Sequence, residues 1–295
     1  MVNAILTSLA TTIPQPPVDS PMPKTAETIF NIFIFIPLGV ALAVAVRKLL
    51  RGDGPVLLYC IAGGALAAMM EPVVDVLGLV YLKEVGAFGT FTILDRTMPL
   101  YICFVYPWYV GGLGYVAYRL FQRGVTMKDL FLLWALDCVV DIVLETPGIL
   151  AGTYLYYGNQ PLNFWGFPLW WGFVNPVMPM LAGALMYHLV PRLQGNRWRL
   201  LAVIPIVPMA DGMANGAAAW PMWAALNQQD VSYVVTHLAA LACLVLSLFC
   251  VWIIGLSVAR PAGELPDESI FQKIRRLGVP DRPAATPAPV TSVDA

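Results

Sequence analysis

Apolar runs long enough to cross a bilayer follow one another along almost the whole of this chain, and that feature leaves few folds open to it. About twenty apolar residues span the hydrocarbon core as a helix. Such stretches lie at 26–46, 55–80, 99–121, 130–150, 168–187, 200–226 and 231–258. Of the 295 residues, 59% are apolar and 12% are charged, against roughly 45–50% and 25% in an average soluble domain. A soluble globular protein is thereby excluded, and so is disorder away from the ends. A formal net charge of −1 excludes nucleic-acid binding through a basic surface. The expected fold class is all-α, a polytopic membrane protein built as a seven-transmembrane-helix bundle over residues 26–258. Residues 1–25 are expected to form a short extramembrane tail. They carry no positive charge ahead of their apolar stretch, which argues against a signal peptide. Residues 259–295 read as a largely disordered tail with one amphipathic stretch at 268–277.

Basic residues give the orientation. Fourteen of the seventeen Lys and Arg fall in the first, third and fifth loops and the C-terminal tail, leaving Lys24, Lys83 and Arg96 for the other side. The positive-inside rule then puts the C-terminus in the cytoplasm and the N-terminus outside or in the lumen, and seven spans preserve this alternation. The host membrane, endoplasmic reticulum or bacterial inner membrane, is left open. Seven helices invite a rhodopsin reading, but the last run, 231–258, has no lysine to carry a retinal Schiff base.

Six carboxylates fall inside these runs: Glu71, Asp75, Asp137, Asp141, Glu145 and Asp211. Each costs roughly 2.5–3.5 kcal/mol at a helix centre, and no Lys or Arg lies well inside a span to pair with them. A carboxyl taken out of water with no cation beside it favours its neutral form. Glu71 and Asp75 stand at i and i+4 on one helix face, and Asp137, Asp141 and Glu145 draw a stripe along another. At about 1.5 Å per residue from the cytoplasmic ends, Glu71 and Asp75 sit roughly 24–30 Å deep, Glu145 roughly 22 Å, and Asp141 and Asp211 roughly 17 Å. Asp137 lies shallower. Acids from three helices are therefore expected to face one cavity in the outer half, with hydrogen bonding between helices as the plainer alternative for any one of them.

Aromatic residues cluster at the same level. Tyr154 and Tyr157 lie in the loop before the fifth run, Trp170 and Trp171 open that run, and Asn175 follows a turn or two below. Asn215 and Trp220 lie in the sixth run, and His237 opens the seventh. An interfacial belt accounts for some of these aromatics; the others are expected to wall a substrate pocket. His188, at a helix C-terminus, is explained by the helix dipole. Cys60, Cys103, Cys138, Cys243 and Cys250 all sit in apolar runs and read as small buried hydrophobes. With two histidines and scattered cysteines a zinc site is not expected; carboxylates alone could hold Mg²⁺ or Ca²⁺.

A protonated carboxyl in an apolar, aromatic-walled pocket is a general acid aimed at an apolar substrate. It can protonate an epoxide or alkene, aromatic faces can stabilise the resulting cation, and an ionised neighbour such as Asp75 can remove the last proton. The sequence carries no Gly-rich phosphate loop, and such an isomerisation needs no cofactor. The implied partner is an apolar prenylated molecule that enters from the lipid bilayer.

Glu71 in Met69-Met-Glu-Pro-Val-Val-Asp75 and Asp211 in Met209-Ala-Asp-Gly-Met-Ala-Asn215 carry a resemblance. The chain resembles the small seven-helix integral membrane terpene cyclases of meroterpenoid biosynthesis in size, topology and the use of membrane-embedded Glu and Asp. That resemblance implies Glu71 or Asp211 as proton donor, with Asp75, Asp141 and Glu145 tuning or accepting protons. The pattern departs from the family in lacking a Trp-Glu pair at Glu71 and in carrying three further acids on the fourth run. Glu145-Thr-Pro-Gly148, Gly152-Thr-Tyr-Leu-Tyr-Tyr157 and Gly166-Phe-Pro-Leu-Trp170 also look like carotenoid-pathway membrane hydratases and lycopene cyclases, which run acid chemistry on isoprenoid double bonds. Three other readings stand beside these. Asp137-x₃-Asp141 has the spacing of a Mg²⁺-dependent membrane prenyltransferase. A proton-coupled transporter or channel would use the acids as a relay. A receptor or scaffold would use them for architecture.

Overall fold

The computed structural model describes residues 14–196 and 198–277. Residues 1–13 and 278–295, within the two expected tails, and Arg197 of the fifth loop lie outside the described residues. The chain is mostly helical, and six helical stretches are long and apolar enough to cross a membrane: Lys24–Leu50, Val56–Gly78, Leu100–Arg123, Leu169–Leu193, Arg199–Ala218 and Tyr233–Val258. This is the make-up of a multi-pass membrane protein. A further helix, Met127–Leu150, matches them with 24 residues but carries Asp129, Asp137, Asp141 and Glu145, which sets its composition apart.

Local sequence explains where the helices start, bend and stop. Helix α1 (Lys24–Leu50) closes on Arg47 and Lys48, whose charges suit the negative end of the helix dipole. The second stretch is α2 (Val56–Ala67), a 3₁₀ turn and α3 (Glu71–Gly78). The third is α4 (Leu100–Tyr106), a π-helical turn at Pro107–Gly112 and α5 (Leu113–Arg123). Pro107 has no N–H to continue the α ladder, and the widened turn follows it. Helix α6 (Met127–Leu150) opens on a capping box: Thr126 Oγ1 accepts from the Asp129 N–H at 3.1 Å, and Asp129 Oδ2 accepts from the Thr126 N–H at 2.9 Å. Then come α7 (Leu169–Val174), α8 (Val177–Leu193), α9 (Val203–Ala218), α10 (Trp220–Leu226), α11 (Tyr233–Val258) and α12 (Ile270–Arg276).

Three features depart from the sequence expectation. The helix expected to run to residue 80 stops at Gly78, because Leu79 takes the left-handed conformation at φ 54° and turns the chain into a strand. That strand, β1 (Val80–Leu82), pairs antiparallel with β4 (Tyr154–Tyr156). The run expected over 200–226 breaks at Ala219, since Pro221 belongs to the first turn of a new helix. The expected all-α class also omits three small antiparallel pairs among the described residues: β1 with β4, β2 (Gly89–Ile93) with β3 (Arg96–Pro99), and β5 (Asn163–Phe164) with β6 (Phe167–Pro168). Strands of two to five residues are too short to display a period-two pattern.

Packing relies on close backbone approach, as between helices in lipid. A Cβ on Gly64 would lie 2.5 Å from the Tyr106 carbonyl oxygen, so α2 meets the start of the π turn only because residue 64 is glycine. Helix α9 packs against α2 and α8, α5 runs along α8, and α11 lies against α6, α7 and α10. Helix α1 packs on α4 and turns Ile29, Ile32 and Ile36 outward, each at least 59% exposed. Past Arg260 the chain returns to the bundle. Helix α12 packs on α5 and α6, and Lys273 Nζ lies 2.6 Å from Asp129 Oδ2 with both side chains buried.

Candidate functional site

The site begins with the acidic stripe of α6. Val139, Val140 and Val143 point outward, 41–60% exposed, so Asp141 and Glu145 point the other way, into the bundle. Across from them α3 presents Glu71 and Asp75. Its short length is fixed at its far end by two side-chain amides: Asn227 Nδ2 donates to the Leu77 carbonyl and Gln160 Nε2 to the Gly78 carbonyl, each at 2.8 Å. These bonds satisfy carbonyls that a helix end leaves open.

Between them lies a cavity lined by Glu71, Asp75, Asp141 and Glu145. Asp75 is 3% and Asp141 1% exposed. Tyr154, Trp171, Asn175 and Asn215 also line it. One wall is apolar, built from Phe30 and Ile34 of α1 with Ile102, Val105 and Leu144. Glu71 interacts electrostatically with Asp75, Asp141, Glu145 and Asp211, so the five acids form one group.

Each acid has its own hydrogen-bond setting. The Tyr106 hydroxyl donates to Glu71 Oε2. Tyr154 and Tyr156 donate their hydroxyls to Glu145 Oε2, at 3.2 and 2.5 Å. Asn175 Nδ2 donates to both oxygens of Asp141 at 3.0 and 3.2 Å. Asp211 stands behind the wall: its Oδ1 accepts from Asn215 Nδ2 at 3.0 Å, and Asn215 itself reaches the cavity. The Asp75 carboxyl makes no hydrogen bond among the described residues, and a cation that influences it is Arg96, which sits 5.2 Å over the Tyr81 ring.

Four expected pocket residues lie elsewhere. Trp170 is fully buried behind the wall, stacked on Trp171 at 4.2 Å and donating Nε1–H to Gln160 Oε1 at 3.0 Å. Tyr157 extends the β1–β4 pairing, its N–H bonded to the Leu79 carbonyl at 2.9 Å, and its side chain faces Arg96. Trp220 is 54% exposed, because the break before α10 rotates it outward. His237 stacks on Tyr233 at 3.8 Å at the outer face of α11 and does not line the cavity. Asp137 is buried but also outside the lining.

The sequence reading missed the tyrosines of the third stretch and Tyr156 of β4. Tyr101, Tyr106, Tyr109 and Tyr156 all line the cavity. Their signal was a polar hydroxyl recurring within an apolar run, since buried hydroxyls require partners. Among the described residues no group of three or more His, Cys, Asp or Glu side chains is arranged to hold a metal ion. All five cysteines are free. The chain matches no protein-family model, no curated protein and no solved structure.

Proposed function

We propose that this protein is a membrane-integral terpene cyclase that protonates an epoxide or alkene of a prenylated, lipid-like substrate to start ring closure. The supporting observation is that carboxyls from separate helices, unpaired with any lining cation, gather on one cavity whose lining is otherwise mostly apolar and aromatic. A carboxyl there delivers a proton to an apolar molecule without competition from bulk water. Glu71 is the first candidate donor, held by Tyr106, with Asp211 acting behind Asn215. Protonating an epoxide oxygen breaks one C–O bond and leaves a carbocation, which the next double bond attacks. Loss of a proton from the final cation to a carboxylate such as Glu145 restores neutrality, so substrate and product have equal mass. The faces of Phe30, Tyr101 and Trp171 shield the cation meanwhile. Asp75 and Asp141 tune the donor.

In this reading α6 is a seventh span, the N-terminus lies outside or in the lumen, and the C-terminus is cytoplasmic. A proton-coupled transporter is the second reading, favoured by Asp137, a buried acid one turn along α6 from Asp141 and outside the cavity lining.

The test is mass spectrometry of membranes holding the protein, incubated with a terminally epoxidised farnesyl-phenol. A new species of unchanged mass is expected, with Glu71→Gln folded and slower by about 10²–10⁴-fold, the usual span for general acid catalysis. Absence of conversion across prenyl chain lengths overturns the cyclase, and proton flux in liposomes then tests the transporter.

A further inference from the structure

Four buried polar atoms that line the cavity have no partner among the described residues; the Tyr101 and Tyr109 hydroxyls can each donate or accept, whereas the other two act in one sense only, Trp171 Nε1 and Asn215 Oδ1. Both residues line the cavity, and they are only 5% and 3% exposed. Leaving such groups unpaired costs about 1–3 kcal/mol each, so their natural partner is whatever fills the space. The orientation of the Asn215 amide follows from its neighbours. Its Nδ2 faces three acceptors, the Asp211 carbonyl at 3.2 Å, Asp211 Oδ1 at 3.0 Å and Met178 Sδ at 3.4 Å, which leaves the oxygen as the free end. The two open groups are therefore of opposite sense, an N–H that needs an acceptor and a C=O that needs a donor.

We infer that the cavity is a binding site for a neutral isoprenoid-like lipid carrying at least one hydroxyl, alcohol or phenol, seated on the Trp171–Asn215 side. A hydroxyl is the smallest group that both accepts and donates. An ether or an epoxide oxygen only accepts and leaves Asn215 Oδ1 unpaired. A diphosphate also only accepts, and it would bring negative charge into a cavity lined by four acids and by no Lys or Arg. The hydrocarbon body lies along the apolar wall of Phe30, Ile34, Ile102 and Val105. Helix α1, which supplies the first two of these, faces outward with its other side, so the same helix borders both cavity and lipid. The inference rests on the cavity being the substrate site proposed above, and it names the chemistry at the non-reacting end of that substrate.

Binding of three probes to the full-length protein in detergent, counted by native mass spectrometry, tests it: farnesol, farnesyl methyl ether and farnesyl diphosphate. Farnesol is expected to bind about tenfold more tightly than the ether, the worth of roughly one hydrogen bond, and the diphosphate not to compete. Trp171→Phe removes the N–H and keeps a ring, and Asn215→Leu removes the acceptor. Asn215→Leu is expected to lower farnesol affinity to the level of the ether while leaving the ether unchanged, and Trp171→Phe to weaken both probes, since both accept from the indole N–H. Equal affinity for alcohol and ether, tighter binding of the diphosphate, or no binding of any probe overturns the inference. So does an Asn215→Leu protein that keeps the preference. The wild-type probe series needs no variant to fold. A preserved alcohol preference without any cyclised product would therefore sink the cyclase and leave this site standing.

Discussion

Asn175 Nδ2 lies 3.0 and 3.2 Å from the two carboxyl oxygens of Asp141, a contact that pins the junction of α7 and α8 to the middle of α6. It is the link that turns the two halves of the cavity toward one another. Asn175→Ala is expected to leave a buried carboxyl without its donor and to cost about 1–3 kcal/mol. Thermal unfolding in detergent measures it. The paired Asn175→Leu, Asp141→Leu protein should lose less than the two single changes added together, as coupled neighbours do. Additive losses would show that the contact carries no coupling.

Gly78 sets the position of Trp171. A Cβ at residue 78 would stand 2.4 Å from Trp171 Cζ2, so Gly78→Ala forces the indole to move. The expected result is a stability loss of about 1–3 kcal/mol, as for an overpacked core, and farnesol binding weakened together with it. A protein of wild-type stability and affinity would mean that the indole has room to step aside.

The C-terminal helix should come loose in acid. Burial alone would push Asp129 up, but hydrogen bonds from Lys273 and from the Thr126 backbone and hydroxyl outweigh it and hold the carboxyl below its ordinary value. A carboxyl lowered in the folded state adds stability above its unfolded pKa, and that stability is lost as pH falls through the folded value. Hydrogen exchange across residues 270–276 should therefore be slow at pH 7 and quicken below the ordinary Asp range, near 3.9. Lys273→Met strands the acid and should quicken it already at pH 7, by an amount on the order of 3 kcal/mol.

The seventh span can be read by labelling. Lys128 and Phe164 flank α6 on its two sides and are both exposed. With an impermeant maleimide, Phe164→Cys should react on intact cells or right-side-out vesicles, and Lys128→Cys only after permeabilisation. Reaction of both from one side would remove α6 from the set of spans.

Much of the site was legible in the chain itself because its signals are local. A run of about twenty apolar residues declares a helix of bilayer length whatever surrounds it. Acids four apart share a face wherever that helix goes, which is why Glu71, Asp75, Asp141 and Glu145 were found before any packing was known. What the chain could not declare was rotation and interruption. Tyr109 reaches the same cavity as Tyr101 and Tyr106 from inside a π turn that starts at Pro107 and changes the phase of every residue beyond it. Trp220 and His237 were expected at the level of the acids, yet the break at Ala219 and the outward face of α11 carry them away from the cavity. Distance along a helix follows from counting residues, so sequence alone determined it. Which way a side chain faces at that depth depends on how its helix is turned against its neighbours, through contacts such as Gly64 on Tyr106 and Gly78 on Trp171, and only the tertiary structure decided that.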